Sequence, residues 1–92
     1  MKVKVEFKPR AYKQLRKLPE HVVSKLKIWI RFIELVGLSE TKKIKGYHDE
    51  PLQGDRKGQR SIRLSRSYRA IYREDKGIIH LVIILEVNKH EY

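Results

Sequence analysis

Between Glu20 and Val36 the chain carries apolar residues at Val22, Val23, Leu26, Ile28, Trp29, Ile30, Phe32, Ile33, Leu35 and Val36. Polar residues return at Glu20, Ser24, Lys27, Arg31 and Glu34, in steps of three and four. That recurrence predicts a helix from Glu20 to about Leu35, which Gly37 is placed to stop. Its apolar face is too broad for one neighbouring helix to cover, so a sheet must lie against it. Within this run Trp29 and Phe32 read as core anchors rather than as a platform for stacking bases.

The sheet is legible at both ends of the chain. Lys2 to Phe7 alternates, with Val3, Val5 and Phe7 on one face and Lys2, Lys4 and Glu6 on the other, the pattern of a half-buried strand. Pro9 suits the first turn of a helix that places Ala11, Tyr12, Leu15 and Leu18 at helical spacing, and Pro19 ends it and opens the long helix. From Ser39 to Gly58 the chain is polar and broken by Gly46, Pro51, Gly54 and Gly58. So long a connection in a small domain is often functional. Three strands follow, Arg60–Ser65, Tyr68–Arg73 and Ile78–Val87, joined by turns at Ser65-Arg66-Ser67 and Asp75-Lys76-Gly77. Strict alternation in the last strand puts Ile79, Leu81, Ile83, Leu85 and Val87 on one face, and Ile78, His80, Val82, Ile84 and Glu86 on the other. The expected fold is α+β: a β-α-α-β-β-β order in a single domain spanning residues 1–92, with two N-terminal helices packed on a largely antiparallel sheet.

The charge narrows the partners. Twenty-two Lys and Arg against eleven Asp and Glu give a formal +11, more than solubility requires and suited to a polyanion. Residues 42–73 alone carry a net +7, and the excess there is rich in arginine, whose planar fork matches phosphate. A basic surface neutralised by an acidic protein partner is compatible with the same charge. The chain has no cysteine, so neither disulfides nor thiolate metal sites are open to it, and its four histidines show no ligand-pair spacing. No apolar signal run opens the sequence, and the run from Ile78 to Leu85 is too short for a membrane span. These features suggest a cytoplasmic protein that needs no cofactor or metal and no membrane.

Acid–base candidates lie in the long connection and at the C-terminus. If the last strand continues extended, Glu86, Asn88, His90 and Tyr92 project from one face, and Arg63 and Arg69 stand on neighbouring strands. Arginines beside an imidazole and a carboxylate could cleave a phosphodiester. A base would remove the ribose 2′-proton, the arginines would stabilise charge on phosphoryl oxygens, and an acid would protonate the departing 5′-oxygen. No phosphate-cradling glycine loop is present, since Gly54 and Gly58 do not form one.

The segment Glu50-Pro51-Leu52-Gln53-Gly54, followed by Gly58, Ser61, Arg63, Tyr68-Arg69-Ala70-Ile71-Tyr72 and Lys89-His90-Glu91-Tyr92, resembles the RelE/ParE toxin superfamily, in particular its YoeB and HigB branches. The resemblance implies a ribosome-dependent mRNA endonuclease neutralised by a cognate antitoxin, meeting operator DNA only through the antitoxin complex. It also implies roles: Glu50 as general base, Arg69 and Arg63 as phosphate stabilisers, His90 as general acid and Tyr92 as a nucleotide-positioning residue. HigB-like chains can carry histidine in the base position, which leaves His48 as an alternative base. Glu91 separates His90 from Tyr92, whereas the two are adjacent in YoeB-like chains, so Glu91 or Glu86 becomes a possible partner for the histidine. Lys42, Lys43, Lys45, Arg56, Lys57, Arg60, Arg66 and Lys89 are expected to bind RNA and ribosome without doing chemistry. Two other functions fit parts of the sequence: a ParE-like inhibitor of DNA gyrase, needing neither Glu50 nor His90, and a plain basic nucleic-acid-binding module.

Overall fold

The structure is a computed structural model that describes residues 2–89. Strand β1 (Val3–Phe7) leads into α1 (Pro9–Leu15), with Pro9 in the first turn where its missing N–H costs nothing. Helix α2 (Glu20–Thr41) follows Pro19, which serves as its N-cap. Strands β2 (Glu50–Pro51), β3 (Arg60–Arg63), β4 (Tyr68–Lys76) and β5 (His80–Lys89) complete the chain. They form one five-stranded sheet in the order β1-β5-β4-β3-β2. β1 runs parallel to β5 and every other pair is antiparallel. The expected α+β architecture is present, with the long connection supplying a fifth, two-residue edge strand that its polar composition hid.

Both helices pack on one face of the sheet. The core joins Val22, Leu26, Trp29 and Ile33 of α2 to Ile62, Ala70, Tyr72, Val82, Ile84 and Val87 of the central strands. Trp29 is fully buried, its ring 5.0 Å from that of Tyr72 and tilted by 54°, a geometry that aromatic pairs favour. Phe32, expected in the core, is 38% exposed, and Ile28, Leu35 and Val36 stand out further still. The sheet covers the stripe centred on Trp29, and the second half of the broad apolar face lies in the open. Gly37 breaks the helix as expected, at φ 83° and ψ 171°, but helical geometry resumes to Thr41, whose hydroxyl donates to the Gly37 carbonyl (2.7 Å). The connection therefore starts later than Ser39.

Alternation in β5 is not strict. Ile71 pairs with Glu86 and Tyr72 with Ile84, so Leu85 is the extra residue of a β-bulge. The bulge changes the phase: Val82, Ile84 and Val87 all face the helices, whereas the expected pattern separated Val87 from the other two. Beyond the end of β1, which pairs only as far as Ile84, the Val87 amide donates to Gln14 Oε1 of α1 (2.7 Å). The same phase change turns Glu86 and Asn88 to the face away from the helices. At the β4–β5 turn, Ile78 and Ile79 lie at an exposed tip rather than in the strand.

Candidate active site

The face away from the helices carries the polar chemistry. Directly opposed residues across a sheet point to the same side, and the register therefore sets out two rows. Glu50, Ser61, Ile71 and Glu86 form one, and Arg63, Arg69 and Asn88 form the next, two residues along. The β3–β4 hairpin that opposes Arg63 to Arg69 is closed by Ser65, whose Oγ accepts from the amides of Ser67 (3.3 Å) and Tyr68 (3.2 Å). An open cleft of about 60 Å³ lies here, lined by His48, Glu50, Arg63, Arg69 and the hairpin residues Ser65, Arg66 and Tyr68. The structure thus brings together Glu50, Arg63 and Arg69, far apart in the chain, with His48 beside them. His90 and Tyr92 lie outside the described residues.

Each cleft residue has its own situation. The carboxylate of Glu50 is 58% exposed, with His48 Nε2 at 3.7 Å from Oε2. His48 holds a left-handed backbone (φ 48°), uncommon for a residue with a Cβ. Arg63 is exposed, while Arg69 is partly buried, and its Nε is shielded from solvent without a hydrogen-bond partner among the described residues. A buried donor left unmet favours an incoming acceptor such as a phosphoryl oxygen. Like charges opposed across a ladder repel each other, and an anion held between the two guanidinium groups would offset that repulsion.

Other charged residues are engaged elsewhere. Glu86, 7% exposed, accepts from Arg56 (3.0 Å to Oε2) and from Asn88 (2.5 Å to Oε1). Arg56 also donates to Gln59 (3.0 Å). This network draws the turn of Gly54–Arg56 toward the sheet on the side where Ile71 and Ile83 are buried outside the helix-side core. Arg60 donates to Asp49 (2.6 Å), and Lys43 pairs with Glu40 at the surface (2.6 Å). Lys42 sits at the end of α2, partly buried, whereas Lys45, Lys57 and Lys89 are exposed; Arg66 lines the cleft. Among the described residues, no group of three His, Cys, Asp or Glu could hold a metal ion, and no helix is long and apolar enough to cross a membrane.

Sequence reasoning passed over Asp49. Its side chain, 1% exposed, accepts from Arg60 Nε and from the Tyr72 hydroxyl (2.5 Å). Burial, reinforced by the bond to Asp49 and its charge, pushes the Tyr72 phenol far above its ordinary value. Arg60 is raised as well: burial opposes its charge, but the hydrogen bond and charge of Asp49 outweigh that. The available signal was the Asp49-Glu50 pair itself, since adjacent residues in an extended segment face opposite ways.

No protein-family model matches the sequence and no curated protein is significantly similar to it. Solved structures do resemble it over nearly their whole lengths. A YoeB/ParE toxin from Agrobacterium tumefaciens superposes with a TM-score of 0.75 at 20% identity, covering 96% of this chain and 99% of that one. The archaeal RelE–RelB complex from Pyrococcus horikoshii gives 0.73 at 21% identity, covering 97% and 96%. The RelBE2 toxin–antitoxin complex from Mycobacterium tuberculosis gives 0.66 at 26% identity, covering 98% and 100%. Two helices on a five-stranded mixed sheet, in this order, define the fold of the RelE/ParE-like toxin superfamily, and this chain has that fold. These structural neighbours include a YoeB/ParE toxin and a toxin–antitoxin complex.

Proposed function

We propose that this protein is the toxin of a type II toxin–antitoxin module and cuts messenger RNA on the ribosome. The observation that carries the reading is a single open cleft, within a toxin fold, that unites the acid Glu50 with the opposed arginines Arg63 and Arg69. In the proposed reaction Glu50 takes the proton of a ribose 2′-hydroxyl. The freed oxygen bonds to the adjacent phosphorus as the bond from phosphorus to the 5′-oxygen breaks. Arg69, its Nε otherwise unmet among the described residues, and Arg63 stabilise the charge that builds on the phosphoryl oxygens. His90 gives a proton to the departing 5′-oxygen and Tyr92 positions the nucleotide. The products are a 2′,3′-cyclic phosphate and a free 5′-hydroxyl, and the chemistry asks for no metal or cofactor.

The basic surface suits this setting. Lys42, Lys45, Lys57 and Lys89 are assigned to RNA of the ribosome, and so are Arg66, which lines the cleft, and Lys43, Arg56 and Arg60, whose ion pairs would first have to loosen. The remaining partner is an antitoxin, as in the RelBE2 toxin–antitoxin complex, through which operator DNA would be met. The site of action is the cytoplasm.

The test maps RNA 5′ ends after brief induction of the wild type, Glu50→Gln, Arg69→Ala and His90→Gln. The wild type should produce new 5′-hydroxyl ends within coding regions, and each variant should lose roughly two or more orders of magnitude of cleavage. Intact messenger RNA with DNA gyrase inhibited would replace this reading with a non-enzymatic one.

A further inference from the structure

Glu50 stands on weak ground for a catalytic group. Its strand, β2, is an edge strand of two residues, one of them Pro51, which has no N–H to give the ladder. His48, just before it, holds a left-handed backbone. Past Pro51, the next bond to β3's side is from the Leu52 amide to the Gln59 carbonyl (2.9 Å). So short a ladder would leave Glu50 free to swing, and catalysis suffers when a reacting group is displaced by as little as about 1 Å.

The residue between His48 and Glu50 supplies what the ladder lacks. Asp49 turns to the helix side of the sheet and ends in two charge-assisted bonds, one to Arg60 Nε and one to the Tyr72 hydroxyl. Tyr72 is itself anchored in the core: it is fully buried, and its ring packs on Trp29 of α2. A rigid chain of contacts therefore runs from the helical core, through Trp29, Tyr72 and Asp49, to the backbone of Glu50. We infer that Asp49 and Tyr72 are positioning residues, which fix the backbone beneath Glu50 so that its carboxylate stays in the cleft with Arg63 and Arg69. The inference rests on the reading of Glu50 as the base. It gives the second tyrosine of Tyr-Arg-Ala-Ile-Tyr a task that packing alone does not require, because phenylalanine would fill the same core space.

The experiment is a double-mutant cycle on cleavage in a translating extract, using the full chain with Tyr72→Phe, Asp49→Asn, Glu50→Gln and the two combinations with Glu50→Gln. Tyr72→Phe and Asp49→Asn should each lower kcat by roughly tenfold or more with KM nearly unchanged. Neither should lower it further once Glu50 is replaced, because there is then no base to position. Hydrogen exchange supplies a measurement independent of activity. In Tyr72→Phe, the amides of His48, Asp49, Glu50 and Leu52 should exchange faster while those of β4 and β5 keep their protection. Full activity in Tyr72→Phe and Asp49→Asn, beside an inactive Glu50→Gln, overturns the positioning role alone. Equal losses with and without Glu50, or exchange that quickens throughout the sheet, assign the cluster to general stability and overturn it too. Unimpaired cleavage by Glu50→Gln removes the base itself, and the positioning role falls together with that reading.

Discussion

Replacing Arg69 by methionine should make this protein more stable and less active at once. Arg69 directly opposes Arg63 across the β3–β4 ladder, and like charges so placed cost up to about 1 kcal/mol. Its Nε is buried without a partner among the described residues, and an unmet buried donor costs about 1–3 kcal/mol. Methionine keeps an unbranched apolar stem in this partly buried position while removing both penalties. Because solvent at the exposed Arg63 and the nearby Glu50 both weaken the repulsion, a gain of about 1–2 kcal/mol is the reasonable sum. For a domain of this size that raises Tm by roughly 4–8 °C per kcal/mol. Thermal unfolding of both proteins at low and high salt measures it. Part of the gain should shrink at high salt, since screening relieves the repulsion in the wild type. A lower Tm for Arg69→Met, or a difference indifferent to salt, would refute the idea that Arg63 and Arg69 repel each other across the cleft. In the same variant cleavage should fall by about 10²–10³, the usual worth of a group that stabilises developing negative charge.

Gly37→Ala should destabilise by about 1–3 kcal/mol in chemical denaturation, since φ 83° with ψ 171° is a region almost confined to glycine. No atom lies within 4 Å of the added Cβ, so an unchanged midpoint would mean that the kink between the two helical segments can reorganise freely. Alkaline pH should unfold the protein through its buried phenols. Burial raises Tyr47, and burial with Asp49's bond and charge raises Tyr72 more, above the ordinary 10.0. The unfolded chain then loses these protons first. The stability they contribute is complete below about pH 10 and is lost as pH climbs toward the folded values, by up to about 1.4 kcal/mol per pH unit for each tyrosine. Denaturant midpoints followed with phenolate absorbance check the slope, and Tyr72→Phe should make it shallower.

The sequence determined the kinds of element and their order. Helical recurrence of Ser24, Lys27, Arg31 and Glu34, alternation in Lys2–Phe7, and prolines at 9 and 19 are local signals, and β1, α1 and α2 formed where they predicted, whereas β4 ran on through the expected turn residues Asp75 and Lys76 and β5 began only at His80. The candidate cleft was legible in part: Glu50, Arg63 and Arg69 were singled out from motif and spacing, and the fold gathers them. Three matters needed tertiary structure. A two-residue strand such as β2 has no period to detect, and it exists because β3 offers it a partner. The bulge at Leu85 leaves no mark in an apolar run, yet it decides that Val87 faces the helices while Glu86 and Asn88 face away. Phe32 and Trp29 look alike in a helix whose apolar face is wider than the sheet that covers it, and only the position of that sheet buries one and leaves the other exposed. Local patterns record which way a residue can face; which neighbour arrives there, as Tyr72 arrives at Asp49, depends on contacts between segments far apart in the chain.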